Sequence, residues 1–186
     1  KDNLELMPFS NVGQTYNKLA YDFYSTSLRP HFVAQGQQYS YKEAEDVKYY
    51  HVPTPLSDLY FKTAFNQGQQ MDAFFTINTS ENFNFSIAYK GVRSLGHYQH
   101  ILTSTGNFEF TTNYQGPNSR YRMRAHFSSQ GLTNEQNGGL TESALPLFIE
   151  NNSRFKDRGR LDVNFEDAEN ALYGNRVFIE HDYDLL

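Results

Sequence analysis

The chain has 186 residues, a net charge of −5 and an isoelectric point near 5.6; 16% of its residues are aromatic (16 Phe, 14 Tyr, no Trp), 20% are charged, and the mean hydropathy is −0.70. An acidic balance argues against nucleic acid as a partner, because phosphate binding needs a basic face. The lack of cysteine excludes disulfides and thiolate metal sites, and no stretch approaches the ~18 apolar residues of a membrane-spanning helix. The remaining polarity is uncharged Asn, Gln, Ser and Thr set among bulky rings. That composition suits either the wall of a transmembrane β-barrel or a β-rich extracellular binding module.

The chain opens at Lys1 without an initiator Met or export signal. It is therefore expected to be processed or partial sequence, and a missing signal says nothing about compartment. Pro8 and Gly13 disfavour a helix across 7–16, so residues 1–25 are expected to be an entry segment and 26–186 one partial domain of barrel strands and loops. Leu28 to Gln35 and Val47 to Val52 are expected as weaker strands, and Pro53 and Pro55 force a turn. Leu59, Phe61, Thr63 and Phe65 alternate with Tyr60, Lys62 and Ala64 in the next strand. Met71 to Asn78, Asn82 to Lys90, Asn107 to Tyr114 and Tyr121 to Ser128 repeat the period of two. Leu161, Val163 and Phe165 are expected in a short strand, 167–175 in a turn, and Val177, Ile179, Tyr183 and Leu185 on one face of the last strand.

Runs of about nine alternating residues match the length of a tilted strand crossing a bilayer. The spacing places Phe75, Ile77, Phe83, Phe85, Ile87, Tyr89, Phe108, Phe110, Tyr114, Tyr121, Met123 and Phe127 on a lipid-facing side. Lys62, Asn84, Ser86, Lys90, Glu109, Arg122, Arg124, His126, Glu180 and Asp182 fall on the opposite, pore-lining side. Arg122 and Arg124 are expected to form a salt-bridge ladder with Glu109 or Glu180 more than an anion filter. Tyr60, Tyr89, Tyr114, Tyr121 and Tyr183 are candidates for interfacial girdles, and His181 is expected near an interface or against another protein surface. Phe85→Arg is expected to abolish assembly and Ser86→Arg to be tolerated.

In an up-and-down order, connections 66–70, 91–106 and 129–159 fall at one end and 53–57, 79–81, 115–120 and 167–175 at the other. The first end holds both long loops, the habit of outer-membrane barrels. A Greek-key sandwich has no reason to sort its loops this way.

Other chemistry is thin. His97-x-x-His100, even with His126, lacks the helical frame and the carboxylate or Cys of a metal site, so no metal or cofactor is expected. Carboxylates at Glu43, Glu45 and Asp46 and at Asp162, Glu166, Asp167 and Glu169 set no defined pair, so no catalytic residue is assigned. Asn78-Thr79-Ser80 and Asn151-Asn152-Ser153 match a glycosylation pattern too short to weigh.

Several stretches share a likeness: Met7-Pro8-Phe9 with Asn11-Val12-Gly13-Gln14-Thr15-Tyr16-Asn17, Pro55 to Phe61, Phe83 to Gly96 (F-N-F-S-I-A-Y-K-G-V-R-S-L-G), Asn137-Gly138-Gly139 and His181-Asp182-Tyr183. Together they resemble the "putative porin" family of Bacteroidota, outer-membrane β-barrels of several hundred residues. The resemblance implies an all-β, antiparallel up-and-down transmembrane β-barrel of which this chain is a part, and it supplies no catalytic residues. The final Asp184-Leu185-Leu186 lacks the terminal aromatic of assembly signals, so the strands are not expected to close on themselves. Open edges are untenable in lipid, so further strands or other outer-membrane proteins are expected as partners, beside outer-membrane lipid itself.

The sequence thus points to a porin-like channel for passive diffusion of small solutes. A secreted β-sandwich that binds glycans or protein, and a non-conducting barrel subunit of a surface complex, stay open.

Overall fold

The computed structural model describes residues 6–8, 11–14, 16–18, 39–64, 67–150 and 153–185. A small antiparallel hairpin comes first, β1 (Leu6–Pro8) and β2 (Tyr16–Lys18), with Met7 opposite Asn17. Six longer strands then form one sheet in chain order. They are β3 (Leu56–Ala64), β4 (Gly68–Ser80), β5 (Phe83–Ser94), β6 (Thr103–Gln115), β7 (Tyr121–Glu135) and β8 (Glu169–Tyr183), every neighbour antiparallel. The fold is all-β and up-and-down, and β3 does not pair with β8, so the sheet is an open part of a barrel.

Register fixes the faces, because residues directly opposite each other point the same way. Phe75 faces Ile87, Ile87 faces Phe110, Phe110 faces Phe127 and Phe127 faces Val177, one apolar row across five strands. One residue along lies a polar row: Thr76, Ser86, Thr111 and His126. The sheet is inside out. Among the described residues only Val47, Ile101, Leu132, Ala144 and Leu161 are buried apolar side chains, while fourteen polar or charged ones are buried. Leu59 is 77% exposed, Val177 75% and Tyr173 71%, while Thr76 and Thr103 are fully buried. A sandwich would cover its rings with a second sheet; among the described residues no second layer lies on them.

Apart from the short β3–β4 connection at 65–67, which falls at the long-loop end, the connections are sorted by length. At one end β4 and β5 meet at 81–82 and β6 and β7 at 116–120; at the other lie 95–102 and 136–168. The long connection carries a short helix, α1 (Ala144–Ile149), and folds against its neighbour: Gln99 Nε2 donates to the Gly159 carbonyl, Asn137 Nδ2 donates to the Gln99 carbonyl, and Ile101, Ala144 and Leu161 are buried.

Several expected boundaries are corrected. Residues 91–94, 103–106, 129–135 and 169–175 are strand, not loop; β7 and β8 pair continuously from Tyr121 opposite Tyr183 to Glu135 opposite Glu169. These extensions are polar or glycine-rich, so they lose apolar alternation while keeping the hydrogen-bond ladder. Leu161 to Phe165 is not a strand; only Val163 bridges to Leu140, within the long loop. Val47 to Val52 is irregular and lies on the face of the sheet, not in it. The expected strand Leu28 to Gln35, and Phe65, lie outside the described residues.

Candidate functional site

All ten residues expected to line a pore do share one face. Lys62 stands opposite Gln70, Asn84 opposite Asn113, Arg124 opposite Glu180, and Arg122 opposite Asp182. Lys90 lies opposite Asn107, Ser86 opposite Thr111, Thr111 opposite His126, and Glu109 opposite Ser128. The twelve ring-bearing or aliphatic candidates share the other face, and each is half-buried or exposed. Tyr60 is the exception among the girdle candidates: it faces Asp72 on the polar side. The other tyrosines form two rows. Tyr121 faces Tyr183, with the Tyr114 and His181 rings each 6.1 Å from Tyr121, at the short-turn end; Tyr89 and Tyr173 lie toward the other. Ten residues separate Tyr173 from Tyr183, about 33 Å of strand, or ~25 Å of height at a ~40° tilt, the height of an outer-membrane apolar band.

The polar wall is not uniformly open. Lys62, Lys90, Arg122, Arg124 and Asp182 are exposed, but Asn84, Ser86, Glu109 and His126 are buried. Wall side chains bond one another in part: Asn84 Nδ2 donates to Asn78 Oδ1 (2.7 Å) and to Thr76 Oγ1 (3.0 Å), and the Ser86 and Thr111 hydroxyls are bonded. The rest of the cover is a strap of chain, residues 39–52, laid over β4 and β6 to β8.

Polar groups of the wall hold the strap by its backbone. The Gln130 carboxamide accepts from the Lys42 N–H (2.8 Å) and donates to the Lys42 carbonyl (2.9 Å). Arg176 also donates to the Lys42 carbonyl and pairs with Glu43 at 3.1 Å. Asn107 Nδ2 donates to the Ser40 carbonyl, and the Val52 N–H donates to Asn78 Oδ1. The Lys42 ammonium forms an ion pair with Glu109 Oε1 at 2.6 Å. Farther along, the Tyr49 hydroxyl meets His126 Nδ1 at 2.7 Å, with the Arg124 guanidinium over the Tyr49 ring, and Tyr50 packs on Phe74. Burial raises the Tyr49 phenol pKa above its usual value, with Arg124 opposing and Glu180 reinforcing the shift; Tyr50 is raised by burial and then by the Glu109 charge. Both phenols therefore stay neutral. A Cβ at Gly174 would collide with the Tyr41 ring, which is why a glycine sits in β8 there.

The tip of the first hairpin plugs the long-loop end of the same face. Asn11 Nδ2 donates to the Ser94 and Ile101 carbonyls (3.0 and 2.8 Å), and Asn11 Oδ1 accepts from Ser94 Oγ (2.7 Å). Gln14 Nε2 donates to the Ile101 carbonyl (2.9 Å). Gly13, at φ +84°, lies so close to the wall that a Cβ would stand 3.0 Å from Thr103 Cγ2. Asn11→Ala, which strips four hydrogen bonds and leaves buried partners, is expected to lower stability by about 1–3 kcal/mol. A urea titration of the folded protein checks this, and an unchanged midpoint would mean the tip is only resting there.

Family comparison agrees with this geometry. A family described as "Putative porin" matches residues 1–186. The chain belongs to that family. No curated protein and no solved structure matches it. In this porin-family chain the Asn11-Val12-Gly13-Gln14 stretch is the docked tip, and Asn137-Gly138-Gly139 turns the chain with both glycines at positive φ (+66° and +85°).

Beyond the strap, at the short-turn end, the wall opens into a groove of about 340 Å³ lined by Asn113, Arg122, Arg124, Glu180 and Asp182 among others. Arg124 pairs with Glu180 at 2.6 Å and Arg122 with Asp184 at 3.4 Å, so the expected ladder exists there, not through Glu109, which is engaged by Lys42. His97 and His100 lie in loop 95–102, whereas His126 is bonded to Tyr49, and no metal-holding group of His, Asp and Glu occurs among the described residues. Sequence reading missed Gln130, Asn107 and Arg176 as strap anchors; their only signal was polarity on the wall side of a strand.

Proposed function

We propose that this chain is part of an outer-membrane channel through which small solutes diffuse passively. One observation carries the reading: a single sheet buries the mid-strand polar groups of one face and leaves the apolar side chains of the other exposed or half-buried. Such a face lowers its free energy only against hydrocarbon or another protein, and it far exceeds the scattered apolar residues of a water-bathed surface. The family name agrees with it. Discrimination comes from lumen width and lining charge, with no chemistry performed on the solute. Outer-membrane lipid contacts the apolar face, and further strands or another outer-membrane protein pair with the free edges of β3 and β8, which cannot stay open in lipid.

Planar-bilayer recording of the full-length protein tests this. Discrete conductance steps are expected from inserted protein; silence from protein that resists trypsin and migrates as a folded barrel would favour the non-conducting subunit. That second reading draws on the strap, which occupies much of the polar wall.

A further inference from the structure

We propose that the strap at residues 39–52, and not the wall beneath it, is the surface a passing solute meets on this side of the lumen, and that it sets the clearance and charge of the passage. The inference rests on the channel reading above. Ser86, Glu109, His126 and Ser128 are the mid-strand polar groups that would touch a solute, yet their exposures are 2%, 7%, 3% and 1%. A side chain without solvent contact cannot select among solutes. Lys42 and Tyr49 of the strap cover Glu109 and His126, and the strap presents the exposed Glu45, Asp46 and Lys48.

The strap is seated, not merely near. Its backbone at Ser40, Lys42 and Val52 is bonded by side chains of β6, β7, β8 and β4, and Lys42, Glu43 and Tyr49 add side-chain partners. These anchors draw on strands from one end of the sheet's middle to its last member, so the segment crosses the lumen wall and does not follow one strand. A layer stacked on a sheet takes up roughly 10 Å, so the passage is narrower than the bare strands would leave it. Beside the apolar contacts of Val47, of Tyr50 on Phe74 and of the Tyr41 ring at Gly174, its seat includes hydrogen bonds and ion pairs to Asn107, Gln130, Arg176 and Glu109. Water can replace such contacts at modest cost, so the strap can shift without exposing a hydrophobic core.

Single cysteines test this, because these 186 residues contain none and any cysteine elsewhere in the full-length protein is first replaced by serine. Asp46→Cys, Lys48→Cys, Ser86→Cys and Ser128→Cys are made in the full-length protein, folded into phosphatidylcholine vesicles and reacted with a charged, water-soluble methanethiosulfonate, with labelling followed by mass. Positions 46 and 48 are expected to react at least ~100-fold faster than 86 and 128, which need an opening fluctuation. Adding Gln130→Ala, which removes the two-bond clamp, is expected to speed labelling at position 86 while leaving position 46 unchanged. Equal rates at all four positions, or no acceleration in the Gln130→Ala background, would overturn the cover. For selectivity, Glu45→Lys with Asp46→Lys is expected to move the reversal potential in a salt gradient toward anions; an unmoved potential in a conducting protein overturns that part. Silence of both wild type and variant would strike the channel reading, while the labelling ratios still decide whether the strap is the wetted surface.

Discussion

On the proposed channel reading, Val177→Arg is expected to destabilise the protein in a bilayer by about 2–4 kcal/mol, the cost of a guanidinium on a lipid-facing side near mid-bilayer. The native chain supplies the contrast one residue away. Arg176 occupies the same height of β8 but points to the polar face, where it pairs with Glu43 and the Lys42 carbonyl. Val177 is 75% exposed on the other face, beside Phe127 and between Asn175 and Ile179. Moving the positive charge across the sheet by a single position therefore separates the faces by energy and not by pattern. The measurement is a urea titration in phosphatidylcholine vesicles, with Asp182→Asn, on the exposed polar side, expected within ~0.5 kcal/mol of wild type. A Val177→Arg variant as stable as wild type would place water, not hydrocarbon, against that face. Burial also revises one sequence expectation. Ser86 is 2% exposed and bonded to Thr111, so Ser86→Arg would have no room and is expected to fail along with Phe85→Arg.

Lys42→Met is expected to cost about 3 kcal/mol, the low end for breaking a buried ion pair, because the lysine side is one-third exposed. The Glu109 side chain is only 9% exposed, and Lys42 is its ion-pair partner at 2.6 Å. Removing the cation leaves a carboxylate in a covered site, whereas removing both charges does not. Lys42→Met with Glu109→Gln should therefore recover most of the loss, and the double-mutant cycle should give a coupling of more than ~1 kcal/mol. Additive losses would mean that the pair does not help hold the strap.

Much of the sheet was legible because the middle of each strand must satisfy two solvents. Phe83, Phe85 and Ile87 against Asn84 and Ser86 leave no other period, and the same holds from Phe108 to Thr112 and from Tyr121 to Phe127. The strand ends were not legible. Gly91, Gly106, Gly131 and Gly174 interrupt the alternation while the ladder runs on through them, since backbone pairing needs no apolar side chain. Tyr60 was misplaced as a girdle residue because its type suggested an interface, although Lys62, two residues on, already fixed its face. The strap was the deepest miss. Val47 and Tyr49 alternate with Lys48 as a strand would, but what holds the segment is Asn107, Gln130 and Arg176 on Ser40, Lys42 and Glu43 and His126 on Tyr49, 67 to 134 residues away, and no local pattern records such a bond.

The seating of the strap also dictates an order of events as the protein acquires its shape. Residue 42 leaves the ribosome well before residue 176, yet its carbonyl is gripped by that arginine across a separation of 134 positions. Loop-closure entropy for so distant a contact must be met before the contact returns anything. The clasp of Arg176 on Lys42 therefore closes only after β8 has paired with β7, later than the shorter-range bonds of the strap to Asn78 and Asn107.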